Sequence, residues 1–200
     1  MNHTQTAAPS PGFADPVQDS QRAFRGLLDA IARPGTIVRL DAAVSAPAPL
    51  SAAAAAALLT LVDFETPLWI DGAAATPEVL AWIRFHCGAP ITTEPAAARF
   101  ALVTDTVAMP PLDAFCQGDD SYPDRSATLL VAVEGLEARN GFRLTGPGIE
   151  DEARLAVEGL PPGFIAAWGR NRAGFPCGVD LFLTCGDRVA ALPRSTRLEV

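Results

Sequence analysis

The apolar positions of this chain change period several times, and each change marks an element. From Pro16 onward, Phe24, Leu27, Leu28 and Ile31 recur at helical spacing, which predicts an amphipathic helix with one apolar face. Its start is written in Asp15-Pro16-Val17-Gln18: Asp15 can cap, Pro16 suits the first helical position, and Gln18 can reach back. Arg33-Pro34-Gly35-Thr36 ends the helix in a turn, Pro setting φ and Gly accepting a positive φ. A short strand is expected over residues 36–40. Ser51 caps a second helix, Ala-rich and running to about Val62, whose small side chains predict burial against a sheet or another helix. Residues 67–70 read as a strand. Thr76-Pro77-Glu78 opens a third helix with Leu80, Ile83 and Cys87 on one side.

Further on, residues 100–104 and 128–133 are apolar runs of strand length, 141–145 is a shorter one, and 162–172 is expected to be helical. Residues 117–125, with Gly, Pro, Ser and the adjacent Asp119 and Asp120, read as an exposed loop or insertion. Near the C-terminus the period falls to two. Asp180-Leu-Phe-Leu-Thr-Cys, Gly186-Asp187 and Arg188-Val-Ala-Ala-Leu read as a hairpin, with Gly first in a two-residue type II′ loop. Leu181, Leu183 and Cys185 share one face of its first strand; Asp180, Phe182 and Thr184 share the other. Helices and strands alternate early and a hairpin closes the chain, a pattern that indicates an α/β domain with a mixed sheet covered by helices. The expected organisation is a disordered Pro/Ser/Ala-rich leader over residues 1–15 and one domain over 16–200, with no internal repeat.

Composition narrows the function. At 49% hydrophobic and 19% charged, the 200-residue chain can bury a core, and its net charge of −8 speaks against nucleic acid and against a polybasic membrane anchor. All fifteen basic residues are Arg. Without Lys there is no Schiff base to pyridoxal phosphate and no Gly-Lys-Ser/Thr phosphate loop. The cysteines at 87, 116, 177 and 185 show no C-x-x-C spacing, and no secretory signal or membrane span is read, so a cytoplasmic protein with reduced thiols is expected.

Candidate chemistry is sparse. His86 is the one His beyond the leader and hence the one acid/base candidate near neutral pH; a hydrogen-bonded structural His at a helix end is the preferred reading. No metal-ligand spacing is present, so neither a metal nor a cofactor is expected. Thr145, Gly146 and Gly148 could form an anion-holding turn. Pro147 removes an N–H from it, and Glu150, Asp151 and Glu152 would repel phosphate while serving any following helix dipole, so a tight structural turn is preferred. Arg194 with Ser195, Thr196 and Arg197 forms a cationic, hydroxyl-rich cluster that could hold a carboxylate, a phosphate or an acidic partner, or could be a solvated stretch; both readings stay open. Asp180 begins a strand and is read first as a turn cap or an Arg partner, second as catalytic.

PVQDSQRAFRGLLDAIARPG, LLTLVDFETPLWI, RFHCGAP, FRLTGPGI and GVDLFLTCGDRVAALPRSTRLEV together resemble the PhnH family, the H subunit of the carbon–phosphorus lyase core complex. The likeness runs over residues 16–200 and is weakest at 117–125 and 155–172. Cys185 matches the family's pattern, whereas Cys87 and Cys177 do not. The resemblance implies a three-layer α/β/α sandwich like the large domain of pyridoxal-phosphate-dependent transferases, without the cofactor. It also implies a homodimer and a core complex with G, I and J subunits. That complex joins a ribose triphosphate unit from ATP to an alkylphosphonate, giving α-D-ribose 1-alkylphosphonate 5-triphosphate, before a radical-SAM subunit cleaves the carbon–phosphorus bond. The family carries over no assigned catalytic residue. The expected role is an assembly or binding subunit; the alternative is a stand-alone phosphate- or carboxylate-handling enzyme using His86 and Arg194, which requires a cleft joining them.

Overall fold

The computed structural model describes residues 10–41 and 44–200; the rest of the expected leader, residues 1–9, lies outside the described residues. Helix α1 (Pro16–Ala32) begins where the Asp15 carboxylate accepts from the N–H groups of Val17 and Gln18. Asp19, and not Gln18, closes the box by accepting the Asp15 N–H at 2.9 Å. That bond, with the Arg22 guanidinium alongside, holds the Asp19 carboxyl below the usual carboxylate range. The buried stripe of α1 also differs from expectation. It consists of Ala23, Leu27 and Ala30, while Phe24 and Leu28 remain half exposed. Small side chains on the inner face let α1 lie close to α2 (Ala52–Leu61), where Ala53 to Ala57 and Leu58 are fully buried. Ser51 Oγ accepts from the Ala54 N–H at the head of α2, as its sequence predicts. Helix α3 (Pro77–His86), capped by Thr76 Oγ1 on the Val79 N–H, buries Val79, Trp82 and Ile83, whereas Leu80 and Cys87 are half-buried.

The large sheet contains β1 (Val38–Arg39), β2 (Leu68–Ile70), β3 (Ile91–Thr92), β4 (Phe100–Val103), β5 (Thr128–Ala132), β8 (Asp180–Cys185) and β9 (Arg188–Leu192). The spatial order is β1-β9-β8-β5-β4-β2-β3. Strands β3, β2, β4, β5 and β8 run parallel, and β9 and β1 add antiparallel partners at one edge. Successive residues of the central strands enter different cores. Leu102, Leu130 and Phe182 join the cluster under α1, α2 and α3, while Val103, Leu129, Val131, Leu181 and Leu183 join the opposite one. Burial on both faces is why these strands read as continuous apolar runs. The closing hairpin pairs Cys185 with Arg188 around Gly186 and Asp187. Gly186 has φ 60° and Asp187 keeps a negative φ, so the loop matches type II′ and excludes I′.

The second face carries helix α4 (Phe164–Ala173) and a three-stranded antiparallel sheet, β10-β6-β7, so helices alone do not make that layer. Strand β6 (Gly135–Thr145) extends well beyond the expected 141–145, and β7 (Ala153–Glu158) and β10 (Arg197–Glu199) were not expected. In the first half of β6 Leu136 is buried but residues 137–140 are all exposed, and a register irregularity separates Glu137 from Phe142, which breaks the alternation a strand ordinarily shows. The acidic run Glu150 to Glu152 leads into β7 and no helix, so it meets no helix dipole there.

Candidate functional site

Asp180 and Arg194, 14 residues apart, meet across the closing hairpin, whose register sets Leu181 opposite Leu192. The Arg194 backbone N–H donates to Asp180 Oδ1 at 2.7 Å, Nε donates to the same oxygen at 3.1 Å, and Nη2 donates to Oδ2 at 2.5 Å. Nη1 donates to the carbonyls of Pro123 at 2.9 Å and Pro176 at 3.2 Å, and Nη2 also reaches Ser126 Oγ. A guanidinium has five N–H donors, and all five are engaged within the chain. The side chains are only 12% and 19% exposed. The cluster is therefore a closed clip that fastens loop 117–126 and loop 174–179 to the end of β9. It leaves no guanidinium donor free for an external anion.

The predicted turn and the hydroxyl cluster are neighbours. Pairing of Arg197 with Thr145 lays β10 beside β6, and a Cβ on Gly146 would stand 3.2 Å from the Ser195 carbonyl oxygen. Gly146-Pro147-Gly148-Ile149 closes with the Ile149 N–H on the Gly146 carbonyl at 3.2 Å, and Gly148 has φ 82°. Pro second and Gly third define a type II turn. A Cβ on Gly148 would be 2.1 Å from the Ala32 carbonyl oxygen, and one on Gly35 would be 2.6 Å from Ala153 Cβ. The two glycine turns thus pack closely, one against the end of α1 and the other against the start of β7, and the Ala32 carbonyl oxygen stands where a side chain on Gly148 would begin. Thr196 is fully buried and its carbonyl accepts the Trp168 indole N–H at 2.9 Å.

His86 lies elsewhere. It ends α3, which leads from β2 to β3, on the far side of β5 and β4 from β8. Its Nε2–H donates to the Ser10 carbonyl at 3.0 Å, and its ring packs on Trp82 and Phe85. Among the described residues, shallow clefts of about 200 to 300 Å³ lie beside α4, on α1, between β6 and β7, and at the end of β7, and their linings do not include His86, Asp180 or Arg194. Burial pushes the adjacent Cys87 thiol up to about 11, far from nucleophilic use at neutral pH. Among the described residues no three His, Cys, Asp or Glu side chains gather as a metal site would require.

The model of the bacterial phosphonate metabolism protein PhnH matches residues 11–199. The chain belongs to the PhnH family. A relative from Rhizobium meliloti (strain 1021), named alpha-D-ribose 1-methylphosphonate 5-triphosphate synthase subunit PhnH, is 46% identical over 190 residues, 95% of each chain. A second, from Stutzerimonas stutzeri and named putative C-P lyase subunit protein HtxG, is 32% identical over 210 aligned residues, covering all of this chain and 97% of that protein.

For this PhnH-family chain, sequence reasoning missed one feature and, of a second that an assembly subunit is expected to have, missed only the place. Asp71, buried where β2 and β4 end, accepts from the N–H groups of Ala74 and Asp105 at 2.7 Å and from Thr104 through both its N–H and hydroxyl. Here β3 and β4 diverge to either side of β2, the switch point where open α/β sheets bind ligands, yet the carboxylate is filled by its own chain. An isolated Asp after a three-residue strand gave little signal. The second feature is exposed apolar surface. Val17, Phe24 and Leu28 follow one another along the outside of α1, and Phe64 and Phe85 project beside α2 and α3. All five lie in segments that carry the family resemblance.

Proposed function

We propose that this chain is an assembly subunit of a carbon–phosphorus lyase complex in phosphonate catabolism. In that role it supports formation of α-D-ribose 1-alkylphosphonate 5-triphosphate from ATP and alkylphosphonate while carrying no bond-making group of its own. The observation that carries this reading is the 46% identity, across 95% of both chains, to a named subunit of such a synthase. The geometry agrees in kind. The Arg194 clip is closed, His86 holds a backbone carbonyl apart from it, and large apolar side chains face outward on α1. The stand-alone enzyme reading has no comparable support, because it needs His86 and Arg194 in one cleft.

The partners in this proposal are a second copy of the chain and the G, I and J subunits. The fold is taken as kin to the large domain of pyridoxal-phosphate-dependent transferases, and the absence of Lys agrees with its doing without the cofactor. A cytoplasmic location is supported by four unpaired cysteines; no described helix is long and apolar enough to cross a membrane. The test is native mass after co-expression with G, I and J subunits, capturing one of those. Recovery of this chain at fixed stoichiometry, with no turnover of ATP and alkylphosphonate by the chain alone, is the expected result. Turnover by the isolated chain, or its absence from an assembled complex of the others, would sink the proposal.

A further inference from the structure

Arg194 does more than neutralise Asp180, because one nitrogen, Nη1, holds two carbonyls that each follow an exposed aromatic residue. Pro123 comes after Tyr122, and Pro176 comes after Phe175. With both carbonyls within hydrogen-bonding distance of a single atom, the two loops meet at that point. Two further contacts join them: the Gly178 N–H donates to the Gln117 carbonyl at 2.9 Å, and Cys177 Sγ lies 3.8 Å from Asp120 Oδ1. Asp119 stiffens the tip, its Oδ1 accepting from the N–H groups of Ser121 and Tyr122. The two side chains are about half exposed, Tyr122 at 49% and Phe175 at 63%.

Two large aromatic side chains held outward on fastened loops are what a recognition surface requires, because ordering such loops at the moment of binding is a main cost of association. Aromatic residues are also the commonest energetic anchors of interfaces. The chemistry of the partner follows from the charges around the rings. Asp119, Asp120 and Asp124 are exposed, and Arg125 is the single cation in segments 117–126 and 174–179. Its guanidinium already sits over the Tyr122 ring, 3.8 Å from the centroid, so this surface accepts a cation on an aromatic face. Arg194 is neutralised in the clip, and on α4 Arg170 shares a cleft with Asp113. The exposed loops thus present carboxylates beside the two rings, and the cleft that Gln117 and Gly174 help line lies against Ala167, Arg170 and Asn171 of α4.

We propose that the Tyr122–Phe175 surface docks a basic segment of a partner subunit, which lays Arg or Lys side chains on the two rings and pairs them with Asp119, Asp120 and Asp124. This rests on the assembly reading above and adds to it a place and a chemistry. Arg194 acts here as a positioning residue.

The experiment uses the full chain co-expressed with G, I and J subunits and measures affinity for the assembled remainder at two salt concentrations. Tyr122→Ala with Phe175→Ala is expected to weaken binding roughly tenfold or more, mainly through faster dissociation, while the variant still folds cooperatively with only a modest drop in melting temperature, because both rings are about half exposed. Asp120→Lys, which keeps both rings, is expected to weaken binding and to flatten its salt dependence. Wild-type assembly with both variants binding as tightly would overturn the docking site and leave the assembly reading intact. Loss with the aromatic variant alone, unaffected by charge or salt, would overturn the basic partner. Failure of the wild-type chain to assemble would end both proposals.

Discussion

The Arg194 guanidinium finds a partner within the chain for each of its N–H groups, whereas along the outer face of α1 large apolar side chains stand half exposed. The clip gathers a carboxylate, two carbonyls and a hydroxyl around one guanidinium. The outer face of α1 leaves Val17, Phe24 and Leu28 about half exposed. The contrast follows from what each kind of group costs when left alone. A buried charge or carbonyl without a partner costs several kcal/mol at once, so it must be satisfied within the chain. An apolar side chain left exposed forgoes about 1.5–3 kcal/mol, which a later interface can recover. The first region is therefore complete in the single chain, and the second is suited to an assembly.

The sharpest way to break this comparison is Arg194→Ala. It strands the Asp180 carboxylate and frees two loops, and a loss of about 3–5 kcal/mol in urea unfolding is expected. A loss below about 1 kcal/mol would mean that water already serves the clip. Next in size is Gly148→Ala, where a methyl group would collide with the Ala32 carbonyl at a positive φ. Strain and displacement together should cost about 2–4 kcal/mol, while Gly163→Ala, at φ 75° with nothing within 4 Å, should cost only about 1 kcal/mol. Equal losses at the two glycines would show that the turn at Gly148 is not tight. The smallest of the three stability effects is expected from Phe24→Ser with Leu28→Ser, about 1–2 kcal/mol below the parent, because only half of each side chain is packed against the chain. The same variant should lower native mass. An unchanged mass would rule out the outer face of α1 as an assembly surface.

Local signals were legible wherever one residue acts on its near neighbours. Asp15, Ser51 and Thr76 cap the helices their sequence marks, and the Gly186-Asp187 loop closes the hairpin in the expected register. The pairing of Asp180 with Arg194 was within reach too, since that register sets the two ends side by side. Pro123, Ser126 and Pro176 were not, because they arrive from loops whose course depends on the packed sheet. The Phe24 and Leu28 reading failed for a related reason. Periodicity locates a face by residue size and polarity, and α1 meets α2 through alanines, which such a pattern weights least. Strand β7 was missed because its exposures do not alternate cleanly, and β10 because three residues are too few to show a period.

The amino-acid sequence by itself determined the elements closed by short-range chemistry: three capped helices, the central apolar strands and the final hairpin. It also ruled out Lys-dependent chemistry and carried the family resemblance. Only the tertiary structure decided which candidates share a place. It joined Asp180 to Arg194, set Gly148 against the end of α1, and kept His86 apart on the Ser10 carbonyl. The physical reason is range. Caps and turns are settled within a few residues by backbone geometry, whereas a site is settled by packing between segments that the chain order does not bring together.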